Sequence, residues 1–341
     1  MTKTPARPPH SKEKTVRRRI FRALLVLVVL LTLVAGIGLL YQASASAVDA
    51  SSYPPPGSLV DVGGFRVHIR CTGTSSSGRP TVILDAGNGG SSLDWSLVQP
   101  GVAAFARVCS YDRAGYGWSD SGPQPRTSER IARELHTLLA KAGVPGPYVL
   151  VGHSFGGLNM RLYAYAYPHE VAGLVLVDSS HERDPAAQAA IQNGQTQLST
   201  CQRIAPFGVI RLFGFLDSFI AAYPHAVQPV VKAHFYQTRF CGTWYDESAA
   251  WSQSITQVRL ARAQQTLRNL PLVVITHGKA LDAAWQTLQN DLARLSTNST
   301  HLLATQSGHA IMFDQPELVI AAIRQIVTET STLDILSERP Q

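Results

Sequence analysis

The residues best suited to covalent chemistry lie at positions 152–156, which read Gly-His-Ser-Phe-Gly. Four β-prone residues, Tyr148 to Val151, precede them, and a helix-forming stretch from Leu158 to Tyr167 follows. A strand, a sharp turn and a helix with a serine at the apex form the pattern known as a nucleophile elbow. Glycines are needed at both ends because the flanking chains pass close to the serine. Ser154 is therefore the candidate nucleophile.

A serine hydroxyl needs a base, and the candidate base is His309. This residue lies in a Ser-Gly-His turn after a short C-terminal strand, a position that no other of the 11 histidines shares. The chain order serine, acid, histidine is that of other enzymes with a nucleophile elbow. Without such partners, the turn at Ser154 would be an ordinary glycine-rich connection between a strand and a helix.

An attacked carbonyl also needs two N–H donors for the oxyanion that forms. We expect one from the backbone of Phe155, which follows the serine at the start of a helix, where the helix dipole favours negative charge. We expect the other from the backbone of Asn88, in the turn Ala86-Gly87-Asn88. Glycine in that turn lets the backbone approach a substrate closely.

Short apolar strands alternating with helices must position these residues. The sequence predicts a hairpin at Ser58–Val62 and Phe65–Thr72 and further strands at Thr81–Asp85, Arg107–Tyr111, Tyr148–Val151, Val171–Val177, Leu272–Thr276 and His301–Ala304. It predicts helices at Leu93–Phe105, 128–142, Leu158–Tyr167, Leu281–Leu295 and Pro316–Val327. This alternation, with continuously apolar strands, favours a mostly parallel sheet buried by helices on both faces.

The alternation is interrupted between residues 182 and 268, a stretch rich in aromatic side chains. It is too long for a loop, so we interpret it as a helical cap lying over the sheet. The core then consists of two parts, residues 58–181 and 269–330, followed by a tail at 331–341. Most of the aromatic residues would pack the cap itself, and a few would line a pocket above Ser154.

The N-terminus predicts a membrane anchor. Residues 1–22 carry the whole net charge of +7, so nothing in the rest of the chain suggests nucleic acid as a partner. Residues 23–41 are uncharged and long enough to span a bilayer, with the basic end cytoplasmic and the body outside. Residues 42–57 are interpreted as a linker. Cleavage as a signal peptide at the Ala-Ser-Ala-Ser-Ala stretch is the alternative, and the apolar run is longer than signal peptides usually have.

The four cysteines fit an oxidising compartment outside the cytoplasm. Of three possible pairings, we favour Cys71 with Cys109 and Cys201 with Cys241, because the second pair falls within the cap. The cysteine and histidine spacing does not suggest a metal site, and we expect no cofactor.

Taken together, these motifs make the chain resemble an α/β-hydrolase of the esterase and lipase group of serine hydrolases. The resemblance covers roughly residues 58–330 and is carried by residues 84–90, 111–119, 152–157, 307–309 and 314–316. It implies an eight-stranded, mostly parallel sheet. Many relatives have a histidine where this chain has Ala86, and we expect the backbone of the turn to keep its role despite this difference.

The resemblance leaves the acid of the triad open. Relatives place it either after the strand that follows the elbow helix or after the next strand. Asp178 suits the first position and is our preferred candidate, because it ends the strand Val171–Val177 with no other evident role. Asp282 suits the second position, but it is also placed to begin the helix that follows.

The expected activity is hydrolysis of a small-molecule ester or related acyl bond through an acyl-enzyme. Epoxide hydrolases and dehalogenases of this fold use an aspartate nucleophile, so Ser154 argues against both. A peptidase or an acyltransferase could use the same triad. A ligand-binding receptor on the same fold is the alternative from a different class.

Overall fold

The computed structural model describes residues 10–74 and 78–337 of the 341-residue chain. Its centre is an eight-stranded sheet with the strand order β1-β2-β4-β3-β5-β6-β7-β8. The strands are β1 (Ser58–Asp61), β2 (Arg66–Thr72), β3 (Thr81–Asp85), β4 (Val108–Asp112), β5 (Tyr148–His153), β6 (Val171–Val177), β7 (Leu272–His277) and β8 (Ser299–Ala304). β2 pairs antiparallel with both β1 and β4, and the remaining pairs are parallel. The predicted α/β class and mostly parallel sheet are confirmed.

Helices cover both faces of the sheet. The α-helices of the described residues, including those that do not contact the sheet, are α1 (His10–Ser52), α2 (Gln99–Ala103), α3 (Ser128–Lys141), α4 (Phe155–Ala166), α5 (Pro185–Ile204), α6 (Val209–Leu212), α7 (Asp217–Ile220), α8 (Gln228–Phe235), α9 (Thr238–Ala249), α10 (Trp251–Gln264), α11 (Ala283–Ala293), α12 (Ile311–Asp314) and α13 (Pro316–Ser337). One apolar core packs α3, α4 and α10 against the sheet, and a second packs α2, α12 and α13 against the opposite face. The central strands are therefore buried on both sides.

The stretch between β6 and β7 folds into α5–α10, with an apolar core of its own. A disulfide between Cys201 and Cys241 joins α5 to α9. The other disulfide joins Cys71 and Cys109, which lie opposite each other on β2 and β4. Both pairings are those that the sequence favours.

Three elements differ from the sequence-based prediction. The last helix, α13, runs to Ser337, beyond its predicted end at Val327 and into the stretch predicted as a tail. The helix predicted at Leu93–Phe105 is divided into a 3₁₀ helix, Ser92–Trp95, and the short α2, with Pro100 in the first turn of α2. Proline is tolerated there because the first N–H groups of a helix lack intrahelical acceptors. In addition, α1 continues to Ser52, through most of the Ala- and Ser-rich stretch predicted as a linker.

The second half of α1 packs against the cap. Residues 14–34 are exposed, and from Ala35 onward one face of the helix is partly buried. The side-chain amide of Gln42 is buried and donates to the Tyr236 carbonyl oxygen at 2.7 Å. Arg211 forms an ion pair of 2.6 Å with Asp49. These contacts explain why the helix persists beyond its apolar run. Among the described residues, α1 is the one helix long and apolar enough to cross a membrane.

Candidate active site

Ser154 lies at the N-terminus of α4 with a backbone φ of 50° and ψ of −119°. This conformation is strained for a residue with a side chain and lifts the serine away from the flanking chain. A Cβ at Gly152 would lie 2.6 Å from the Gly156 carbonyl carbon, and one at Gly156 would lie 2.5 Å from the Asp85 carbonyl oxygen. The two glycines of the elbow are therefore required by the close passage of the backbone.

Asp178 and His309 lie in direct contact. The distance between His309 Nδ1 and Asp178 Oδ2 is 2.5 Å. With the hydrogen on Nδ1, His309 donates to the carboxylate and its Nε2 atom is left to accept a proton. Burial alone would raise the pKa of Asp178, but the hydrogen bond from His309 outweighs it and holds that pKa below its usual range. Asp178 is thus an ionised acceptor for the imidazole.

The alternative acid, Asp282, has a different role in the fold. Its carboxylate caps α11 by accepting a hydrogen bond of 2.7 Å from the Trp285 backbone N–H. It lines the same cavity as Ser154, but His309 makes its hydrogen bonds with Asp178 and His153. Of the two candidate acids, Asp178 is therefore the one in contact with His309, whereas Asp282 caps a helix.

His277, which sequence analysis missed, also contacts Asp178. Its Nδ1 atom lies 2.8 Å from Asp178 Oδ2, and its backbone N–H donates to Oδ1 at 3.2 Å. The indole N–H of Trp285 donates to Oδ1 at 2.9 Å. His277 ends β7, the strand beside β6, so its position at a neighbouring strand end is a signal that could have identified it. These donors fix the orientation of the carboxylate.

The residues predicted as oxyanion donors lie on the two segments that adjoin Ser154. Phe155 is the first residue of α4, so its N–H has no acceptor within the helix. A Cβ at Gly87 would lie 3.2 Å from the Ser154 Cβ, which places the turn carrying Asn88 directly against the serine. The Asn88 side chain accepts from the indole N–H of Trp244 at 2.5 Å, a contact made by the cap.

A buried cluster of charges anchors that turn. The Arg113 guanidinium donates to the carbonyl oxygens of Ala86 and Gly87, each at 2.7 Å. It also pairs at 2.7 Å with Asp85 on the core and with Glu247 on α9 of the cap. Burial alone would lower the pKa of Arg113, but the carboxylates of Glu247 and Asp85 outweigh it and hold that pKa well above its usual range. The cluster therefore connects the cap to the predicted oxyanion turn.

We expect Glu247→Gln to reduce the free energy of unfolding by about 3 kcal/mol, because it removes one partner of a buried ion pair. Glu247 is fully buried and also accepts from Tyr116 and Asn88, at 3.0 and 3.2 Å. Urea denaturation would measure the change. Glu129→Gln is the matched control, because Glu129 pairs with Arg133 on an exposed helix surface and should matter little. Equal stability of both variants would contradict a structural role for the buried cluster.

Two adjoining cavities lie above the sheet, one beneath the cap and one within it. The smaller, about 470 Å³, is lined by Ser154, Asp178 and His309 together with residues of α5 and α11. The larger, about 700 Å³, lies within the cap and has a mostly apolar lining. Asn88, Ala190 and Ile191 line both cavities. Volumes of this size are typical of ligand sites, which hold roughly 300–1,000 Å³.

Two curated relatives resemble the chain in sequence. An uncharacterized protein of Bacillus subtilis, YqjL, is 28% identical over 251 residues, which cover 72% of this chain and 83% of that protein. An uncharacterized protein of Schizosaccharomyces pombe, C23C11.06c, is 27% identical over 303 residues, which cover 77% of this chain. The chain spans only 54% of the length of that second relative.

Solved structures share the fold. An esterase of Thermogutta terrifontis aligns with a TM-score of 0.61 and 22% identity, covering 78% of this chain and 94% of the esterase. The epoxide hydrolase CorEH aligns with a TM-score of 0.61 and 18% identity, covering 80% of this chain and 97% of that enzyme. Identities this low establish the fold alone.

A family model described as the alpha/beta hydrolase fold matches residues 80–316, which include the elbow, Asp178, the cap and His309. The match extends over more than half of the chain. The chain therefore belongs to the alpha/beta hydrolase family.

Proposed function

We propose that this hydrolase-family protein cleaves carboxylic esters with Ser154 as nucleophile, His309 as general base and Asp178 as the acid of the triad. The observation that carries the proposal is the 2.5 Å contact between His309 Nδ1 and Asp178 Oδ2, beside a serine on a strained elbow. A serine needs a base held by a third group, and this arrangement supplies both.

The reaction would proceed in two halves. Ser154 Oγ attacks the ester carbonyl carbon while its proton passes to His309 Nε2, and the backbone N–H groups of Phe155 and Asn88 stabilise the oxyanion. Collapse of the tetrahedral intermediate breaks the ester C–O bond, and His309 gives the proton to the departing alcohol. Water then attacks the acyl-enzyme by the same route, which releases the carboxylic acid and restores Ser154.

We further propose that α1 is retained as a membrane anchor with the catalytic body outside the cytoplasm. The basic residues before the apolar run favour this orientation. The contacts of Gln42 and Asp49 with the cap favour retention of the helix, since cleavage at the Ala-Ser-Ala-Ser-Ala stretch would remove the first of them. The two disulfides fit an oxidising compartment.

A comparison of matched ester and amide substrates tests the choice of bond. We expect the full-length chain in detergent to hydrolyse p-nitrophenyl butyrate and to leave the corresponding p-nitroanilide essentially intact. Release of p-nitrophenol and p-nitroaniline is followed by absorbance, and Ser154→Ala corrects for background. Faster cleavage of the anilide would favour the peptidase alternative. Absence of turnover on both, with no labelling of Ser154 by a fluorophosphonate, would favour a ligand-binding protein.

A further inference from the structure

The cap carries a concentrated group of exposed apolar side chains. Outside α1, eight large hydrophobic residues of the described chain are exposed, and five of them fall within residues 207–219. We call these five the apolar patch: Phe207, Leu212, Phe213, Phe215 and Phe219. Leu212 and Phe213 are 66% and 67% exposed. Such a concentration is unusual on a surface that faces only water and marks an interaction site.

The apolar patch begins where α1 meets the cap. A Cβ at Gly38 would collide with the Phe207 carbonyl oxygen, and one at Gly208 would lie 2.7 Å from the Tyr41 ring. Gly38 lies within the apolar run, three residues before the run ends at Tyr41. An α-helix rises ~1.5 Å per residue, so Gly38 lies about 4.5 Å from the end of the run. A bilayer crossed by this run therefore reaches the level of Phe207. The end of the patch at Phe207 would then lie beside the membrane surface.

The charges near the apolar patch are compensated. Arg211 pairs with Asp49 at 2.6 Å, and Asp217 lies 3.5 Å from the Lys232 ammonium. Between residues 205 and 222 there are no other charged side chains. The segment therefore suits hydrocarbon rather than a charged headgroup.

The same segment borders the larger cavity. Phe215 and Phe219 line that cavity and are also 57% and 50% exposed. The larger cavity shares Asn88, Ala190 and Ile191 with the smaller one, which holds Ser154 and His309. A continuous lining thus connects the apolar patch with the serine.

We propose that the apolar patch docks into the outer leaflet of the membrane crossed by α1, and that the substrate is a bilayer-resident ester with a long acyl chain. The chain enters between Phe215 and Phe219, fills the larger cavity and places its ester carbonyl at Ser154. The identity of the substrate rests on the proposed ester hydrolysis. The docking rests on the proposed membrane anchor α1 and is independent of the ester hydrolysis.

Docking is tested on the full-length chain reconstituted into phosphatidylcholine vesicles. Phe213→Cys and, as matched control, Leu260→Cys are each labelled with an environment-sensitive fluorophore. Leu260 is 57% exposed and belongs to α10, away from the apolar patch. We expect nitroxide-bearing lipids to quench the label at position 213 and aqueous iodide to quench the label at position 260. Equal iodide quenching at both positions would overturn the docking.

The substrate class is tested with two esters and two double variants. Leu212→Ser with Phe213→Ser weakens the patch without changing a residue that lines either cavity. We expect it to slow hydrolysis of p-nitrophenyl palmitate in vesicles by about tenfold or more, because two apolar side chains no longer contribute to docking. Hydrolysis of soluble p-nitrophenyl butyrate should not change. Leu260→Ser with Leu303→Ser, two exposed leucines elsewhere, should alter neither rate.

The outcomes separate this inference from the proposed function. Unchanged palmitate hydrolysis in the patch variant, with butyrate still cleaved, would overturn the lipid substrate and leave the serine hydrolase intact. Failure of the unmodified protein to cleave either ester would overturn the proposed function, and the lipid substrate with it. The fluorescence result decides the docking in both cases.

Discussion

Ser154→Ala is expected to lower the turnover of p-nitrophenyl butyrate by on the order of 10⁶, because removal of a triad nucleophile leaves only binding and oxyanion stabilisation. The variant keeps the strained backbone at φ 50° and a Cβ, so it should remain folded. The measurement is kcat on purified full-length protein, with circular dichroism to confirm folding.

The matched control for this variant is Ser180→Ala. Ser180 is a buried serine that lines the same cavity as Ser154. Its backbone N–H, which the substitution retains, donates to the Ser154 carbonyl oxygen at 3.0 Å. We expect kcat within about tenfold of that of the unmodified protein. A lining residue that binds the substrate and the transition state equally well changes KM rather than kcat. Comparable losses in both variants would indicate that damage to the cavity, rather than loss of a nucleophile, explains the effect at Ser154.

The second large effect is expected at Asp178. Asp178→Asn should lower kcat by about 10⁴, because the amide cannot hold the His309 imidazole with its hydrogen on Nδ1 or stabilise the imidazolium. Asp282→Asn should keep nearly full activity and stability, because asparagine caps a helix as well as aspartate does. Steady-state kinetics on both variants measure the difference.

The two aspartate variants together decide which carboxylate acts on the imidazole. A large loss at Asp282 with activity retained at Asp178 would reverse the assignment. Activity retained in both would mean that neither acts as the acid. His277 and His309 both contact the Asp178 carboxylate, so Asp178→Asn should change the hydrogen bonding of both imidazoles. The chemical shifts of the imidazole ¹⁵N atoms would report this change.

The strands and the elbow were predictable from the sequence because their signals are local. The strands at Thr81–Asp85 and Val171–Val177 have the predicted bounds, since both are short apolar runs between turn residues. The elbow helix begins at Phe155, earlier than its helix-forming residues indicate. Glycines lower helix propensity there, yet the turn at Ser154 needs them, so the tertiary requirement prevails.

The features that could not be predicted depend on contacts between residues that are far apart in the sequence. The pairing of Arg113 with Glu247 joins residues 134 positions apart, and no local pattern indicates it. Local context favours Asp178 over Asp282 but leaves both open, and the contact of Asp178 with His309 and the helix cap that Asp282 forms on α11 are visible only in the fold. The continuation of α1 to Ser52 depends likewise on contacts with the cap, which composition does not reveal.

Ester hydrolysis by this site requires Ser154 to become covalently acylated, and a fluorophosphonate tests the nucleophile most directly. The serine oxygen would displace fluoride from phosphorus and leave a stable adduct, which mass spectrometry locates after proteolysis. We expect a single adduct on the peptide containing Ser154, lost in Ser154→Ala and formed normally in Ser180→Ala. An adduct on another residue, or ester turnover without any adduct at Ser154, would contradict it.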